Sequence, residues 1–401
     1  MSQTVVSEQF VKIAPKEVYP ALTRAILLRA WLCDFATVTP RPGGRMYLWW
    51  NGDFYSAGEY VELKENELVK FKWHSRIDPA PSDVTVHLAA QNGGTLVRFE
   101  HAVPDGEEWK GRADGFKSHW DSSLPNLASV LETGLDRRIY DRPMLGIQIS
   151  DFNAEIAKAA GIPVSEGMRL AEAAEGMGAR AAGLRQDDVI VEFNGKKITN
   201  DFGTLVLALQ GKKGGDKVEV VFYRGPEKHT VTMELTKRPV PDVPASPKEL
   251  AEKVRAKYDE GLALLTDTFA GVSGPEANRQ PAPGEWSAIQ TLAHLVHTER
   301  NWLANIDDVV GGYERNGDDF GGNINAHINA TVAAFGSVAA LMDEMRLLSK
   351  EVVAYLASLP PKFVARKGNY LEVGNTMLNG MLSHTLSHID QIKNAIAAAK
   401  K

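Results

Sequence analysis

The spacing of apolar residues changes character along the chain. Residues 5–13 alternate apolar and polar positions, which predicts a β-strand. Val18, Leu22, Ile26 and Trp31 then recur near helical spacing and predict one helix over 15–33. Strand-like runs follow at 46–50, 54–61, 68–74, 84–88 and 95–101. Asn51-Gly52 and Asn92-Gly93 separate two pairs of them, and Asn-Gly supplies the positive φ that tight hairpins need. Trp109, Phe116, Trp120, Leu124, Leu127 and Leu131 mark one side of a long helix over 107–132. After residue 245 the pattern is helical throughout. Leu250, Val254, Tyr258, Leu262, Leu265 and Phe269 outline a first helix. A second is predicted from 287 to about 306, a loop over 310–323, a third helix over 324–359 and a fourth over 376–398. Ser246 with Glu249, and Ser287 with Gln290, have the spacing of capping boxes.

Two polar breaks punctuate this pattern. Residues 133–143 are charged and end in proline, and residues 238–247 carry Pro239, Pro241, Pro244 and Pro247, which favours an extended spacer. Three domains are therefore expected, over 1–136, 140–240 and 245–401. The fold class is multidomain α+β, closing with an all-α four-helix bundle.

The chain has 401 residues and a formal net charge of -6, which argues against nucleic acid as a partner. Its one cysteine, Cys33, excludes an internal disulfide or a cysteine-based zinc site, and reads as a small core residue. The first residues lack the charged start and apolar stretch of a signal peptide. The longest mostly apolar run, 328–342, is shorter than the roughly 20 residues that span a bilayer. A cytoplasmic protein without a membrane partner is expected.

The clearest chemistry lies near the C-terminus. His384 and His388 are four apart on a predicted helix, so their imidazoles lie on one face, one turn apart. His294 lies on another predicted helix. Glu285-Trp286-Ser287-Ala288-Ile289-Gln290-Thr291-Leu292-Ala293-His294-Leu295 and His384-Thr385-Leu386-Ser387-His388-Ile389-Asp390-Gln391-Ile392 together resemble the DinB-like superfamily of four-helix bundles. The resemblance implies that His294, His384 and His388 hold a divalent metal, with positions left open for a ligand. Imidazole donors suit zinc, nickel or iron and do not choose among them. His297, Glu299, Asp390 and Gln391 lie close enough in sequence to orient the imidazoles or meet a substrate.

The middle segment is similar to PDZ domains of the bacterial protease-associated type, through the run 181–195 ending in Asn194-Gly195. The resemblance implies a compact β-sandwich or barrel that takes a C-terminal peptide as an added strand. Leu145, Gly146 and Ile147 would receive the carboxylate, with Arg142 nearby, and Thr204, Leu205 and residues 207–209 would form the other wall. No serine-protease nucleophile loop is present.

The first segment resembles the START-like SRPBCC superfamily, in its branch related to activators of heat-shock-protein ATPases. The carriers are the run Ala14-Pro15-Lys16-Glu17-Val18-Tyr19, Trp31, Gly43-Gly44, Gly58-Glu59-Tyr60 and Trp120 with Leu124 and Leu127. A helix-grip fold follows, in which a long helix closes a curved sheet. Trp49, Trp73 and Trp120 are the expected lining of a cavity for a small hydrophobic ligand.

The three modules together suggest a binding or adaptor protein, of the kind that would suit a sensor or scaffold responding to stress or a metabolite. The alternative is a metal-dependent enzyme, a thiol S-transferase or a hydrolase of small electrophiles.

Overall fold

The computed structural model describes residues 3–313 and 324–400. The predicted loop over 310–323 therefore lies mostly outside the described residues. Two compact units emerge: residues 1–134 together with 241–401, and residues 135–240.

In the first unit, β1 (Gln3–Val11) leads to α1 (Pro15–Val18) and α2 (Ala25–Trp31). Then come β2 (Phe35–Val38), β3 (Arg45–Trp50), β4 (Phe54–Lys64), β5 (Leu68–Ser75), β6 (Ser82–Gln91) and β7 (Gly94–Val103). The seven strands form one antiparallel sheet in the order β1-β7-β6-β5-β4-β3-β2. Helix α3 (Arg112–Thr133) packs on β1 and β7. It buries Phe116, Trp120, Leu124 and Leu127, the stripe that the spacing predicts. Three expectations change in detail. The predicted helix over 15–33 is broken by a 3-10 turn at Tyr19–Leu22, where Pro20 lacks an N–H, and Arg24 is extended. Strand β2 has no sequence signal of its own. Helix α3 starts at Arg112 rather than 107, after Gly111 at a positive φ of 78°.

In this domain His101 is buried and His119 is half-buried. His101 Nδ1 accepts from Trp120 Nε1 at 3.2 Å, and its Nε2–H meets Ser82 Oγ at 2.7 Å. Ser82 Oγ in turn donates to Trp73 O at 3.2 Å. This network suits the neutral imidazole. Burial, and next the neighbouring His119, push His101 down to about 3. Burial pushes His119 down to about 4, and among the described residues its Nε2 has no hydrogen-bond partner. The unfolded chain takes up these protons near its ordinary value of 6.5, whereas the folded domain does not. Their contribution is complete above that value and is lost as pH falls toward the folded values. The slope is at most about 1.4 kcal/mol per pH unit per histidine. The thermal midpoint of the full chain, followed by tryptophan fluorescence, is expected to fall through this window and less steeply in His119→Phe. An acid limb identical in the variant would remove His119 from the account.

In the second unit, α4 (Arg137–Tyr140) precedes β8 (Ile147–Ser150), α5 (Ala154–Ala159), β9 (Met168–Ala173) and α6 (Gly178–Ala181). They are followed by β10 (Val189–Phe193), β11 (Lys196–Lys197), α7 (Phe202–Leu209), β12 (Lys217–Arg224) and β13 (Glu227–Glu234). The antiparallel order is β13-β12-β10-β9-β8, with β11 on β10. Asn194 and Gly195, at φ 52° and 72°, make the tight turn that their sequence predicts.

The remainder of the first unit is helical: α8 (Pro247–Thr268), α9 (Gly274–Asn278), α10 (Ala288–Gly311), α11 (Ile324–Phe335), α12 (Val338–Ala357), α13 (Pro361–Val364), α14 (Lys367–Asn375) and α15 (Met381–Ala399). The long helices α8, α10, α12 and α15 form the bundle, and α11 packs on α10. The predicted third helix is two helices bent by 104°. Gly336, at φ 71°, ends the first, and Ser337 caps the second by accepting from Ala340 N. The second predicted helix runs on to Gly311. The fourth opens with a π-turn, Thr376–Gly380. Of the two predicted capping boxes, Ser287 with Gln290 forms, whereas Ser246 caps nothing with its side chain. No single described helix is long and apolar enough to cross a membrane.

Candidate functional site

The Ser287–Gln290 capping box fixes where α10 begins. Buried Ile289, Leu292, Ala293 and Val296 fix its rotation, which leaves His294 half-buried at the edge of the apolar face. On α15, buried Thr385, Ile389 and Ile392 do the same for His384 and His388. The two helices pack on each other and bring the three Nε2 atoms together. His384 Nε2 lies 3.3 Å from His294 Nε2 and 3.2 Å from His388 Nε2. One ligand atom from each of the three lies within 4.8 Å of the others.

The donor set fits a divalent metal. Nitrogens at about 2.0–2.1 Å from a tetrahedral zinc lie about 3.3–3.4 Å apart, close to both measured separations. The surroundings of His294 and His384 favour the neutral imidazole that ligation needs. Burial, then His388 and His384, push His294 down to about 4. Burial and His388 also lower His384. His388 Nδ1–H donates to Gln391 Oε1 at 2.8 Å, which directs the Nε2 lone pair toward its two neighbours.

The supporting residues differ from those expected. Gln391 does hold an imidazole. Glu299 does not: its Oε2 accepts from Tyr258 Oη at 2.7 Å, in a buried pair between α8 and α10. Burial raises the Glu299 carboxyl to about 7, against the opposing pull of that hydrogen bond. Asp390 lies exposed on α15. His297 pairs with Asn301 at 3.1 Å, and its ring centroid is 3.9 Å from that of His327. Sequence reasoning missed Trp286, whose ring lies 5.0 Å from that of His294 at 39°. Its Nε1 donates to Asn325 Oδ1 at 2.8 Å. The available signal was its position immediately before the Ser287 cap, where apolar residues anchor a helix entry.

In the second unit, Leu145 is buried, Gly146 has φ 72°, and Ile147 opens β8, the terminal strand of the sheet path. A Cβ on Gly146 would lie 2.3 Å from Met177 Cβ, so glycine is required both by conformation and by space. Helix α7 turns Leu205 and Ala208 into the core and exposes Phe202, Val206 and Leu207. Leu205 is thus a core residue rather than a groove wall.

In the first domain, Trp73 and Trp120 meet at 5.3 Å between ring centroids. Trp50, not Trp49, is the third tryptophan of that cluster, 6.0 Å from Trp73. Strand alternation places Trp49 on the opposite face, paired across strands with Phe35 and Tyr55.

Three family models match successive stretches. Residues 12–132 match the Activator of Hsp90 ATPase homolog 1-like family, 143–235 the PDZ domain and 257–392 the DinB superfamily. The chain joins these three domain types. Among curated proteins, it is 34% identical over 98 residues to a probable periplasmic serine endoprotease DegP-like of Marinomonas sp., covering 24% of this chain and 21% of that protein. It is 27% identical over 188 residues to a probable periplasmic serine protease do/HhoA-like of Haemophilus influenzae, covering 46% and 37%. The chain therefore spans well under half the length of these relatives. Among solved structures, the Aha1 dimer from Colwellia psychrerythraea is 19% identical, with 32% of this chain and 96% of that chain covered and a TM-score of 0.30.

Proposed function

We propose that the chain is a multidomain binding protein that couples a divalent metal centre in its DinB-type bundle to capture of a protein C-terminus by its PDZ domain. The single observation that carries this reading is the convergence of three imidazole Nε2 atoms, with His388 oriented from behind by Gln391. Three protein donors leave a tetrahedral ion open to one more ligand, as in sites that bind or transform a molecule rather than staple a fold. The PDZ part of the reading is supported by Gly146 at positive φ beside a terminal strand, the arrangement that lets a peptide add to the sheet and bring its carboxylate to backbone N–H groups.

Metal analysis of the full chain, prepared without a histidine tag and supplemented with zinc or nickel, should find about one equivalent, since the site is built for one ion. Less than about a tenth of an equivalent would defeat the metal reading. A C-terminal peptide library should yield binders to the full chain. Gly146→Asp should abolish that binding while leaving metal content unchanged, because the two sites lie in separate units. Peptide binding indifferent to this substitution would count against the groove.

The coordination position that three imidazoles leave open favours a second reading, a metal-dependent transferase or hydrolase acting on a small electrophile. A divalent ion there would supply positive charge to activate a bound donor. Turnover that survives His388→Ala would exclude this reading.

A further inference from the structure

His294 and His388 are held in different ways. The Nδ1 of His388 is backed by Gln391. The Nδ1 of His294 is buried and, among the described residues, has no hydrogen-bond partner. A ligating imidazole normally gives its second nitrogen to a partner that fixes the ring. For His294 a ring contact stands in that place. Besides the other two imidazoles, the aromatic ring against it is that of Trp286, at 5.0 Å and 39°. Trp286 precedes the Ser287 cap of α10, so no helical ladder fixes it, and its side chain is half-buried. Its Nε1 donates to Asn325 Oδ1 at 2.8 Å, in the first turn of α11. A second amide bond joins the same two helices. Gln290 Nε2 donates to Asn329 Oδ1 at 2.7 Å, one turn further along α11. The two bonds are alike in length and both are exposed, but only the first ends on a ring that packs against a metal-site histidine.

We propose that Asn325 and Trp286 are positioning residues for the three-histidine centre. Asn325 fixes the indole, the indole fixes the His294 ring, and metal affinity therefore depends on α11 lying on α10. The proposal rests on the metal reading above. Neither residue donates to the ion; each acts through the next, so the effect of Asn325 exists only while Trp286 is present.

The test measures zinc affinity of the full chain by competition with a chromophoric chelator, with circular dichroism as the folding control. Trp286→Ala should weaken zinc about 10-fold, the lower end of the cost of losing a partner behind a ligand. Asn325→Ala should weaken it about five-fold, the worth of one net hydrogen bond. Asn325→Asp keeps an acceptor for the indole N–H and should return affinity to within about two-fold of the unmutated chain. Asn329→Ala removes the other bond between α10 and α11 and should change affinity by less than about two-fold, which separates positioning of His294 from mere docking of α11. In a Trp286→Ala chain, Asn325→Ala should have no further effect, because the two act in series. Equal losses in Asn325→Ala and Asn329→Ala, no loss in Asn325→Ala, or a full further loss in the Trp286→Ala chain would overturn the proposal while leaving the metal centre intact. An unmutated chain that binds no zinc would defeat the metal reading and the proposal with it.

Discussion

His384→Ala is expected to remove stoichiometric metal binding, lowering affinity by more than about 100-fold, the upper end of the cost of losing a partner behind a ligand. His384 is the middle donor. Both measured nitrogen separations, 3.3 Å to His294 and 3.2 Å to His388, run through it. Without it, the remaining donors come from two different helices with no imidazole between them. Gln391→Ala should have a smaller effect, about 10- to 100-fold, because it frees the His388 ring without deleting a donor. The helix should persist in both variants, since His384 is only half-buried and Gln391 is exposed. Competition titration against a chromophoric chelator, with circular dichroism as the folding control, gives the ranking. A His384→Ala chain that still binds one equivalent with unchanged affinity would show that the metal is held elsewhere. Equal losses in the two variants would remove the distinction between donor and support.

Asp188→Ala is expected to destabilise the PDZ unit by about 2–3 kcal/mol, the upper end of the cost of leaving hydrogen-bond donors without their acceptor. Asp188 is fully buried at the entry to β10. Its Oδ1 accepts from Arg224 Nε at 2.8 Å, its Oδ2 from Arg224 Nη2 at 2.8 Å, and Oδ2 also from Arg185 N at 2.9 Å. One carboxylate thus ties the turn before β10 to the far end of β12. Alanine would leave the Arg185 N–H without its acceptor and the guanidinium without its counter-charge. Asp188→Asn keeps an acceptor for Arg185 and should cost less. Denaturant unfolding of the full chain should show an earlier transition for the PDZ unit alone, accompanied by loss of peptide binding but not of metal. A transition displaced by less than about 1 kcal/mol, the range of exposed pairs, would mean that this pair is not structurally important.

The two substitutions probe features that were unequally legible in the chain. The i, i+4 spacing of His384 and His388 follows from helical geometry alone, and so does their shared face. The Ser287–Gln290 cap was also readable, because its donors and acceptors lie within one turn. The Asp188–Arg224 pair was not. The two residues are 36 positions apart, and only the β10–β12 pairing makes them neighbours.

The same division runs through the whole protein. By itself, the sequence determined the order of strands and long helices, the tight turn at Asn194-Gly195 and the three domain types, later matched over 12–132, 143–235 and 257–392. These depend on periods of two and 3.6 residues, on turn residues and on local motifs, which short stretches encode. Tertiary structure decided which side chains meet. It placed Trp50 rather than Trp49 beside Trp73, gave Glu299 to Tyr258 instead of an imidazole, and set Gln391 behind His388. It also divided the third predicted helix at Gly336 and opened α15 with a π-turn. Each of these outcomes depends on how an element is rotated and where it crosses its neighbour. Packing against residues far away in the chain sets that rotation, and the local pattern leaves it open to within a residue or two.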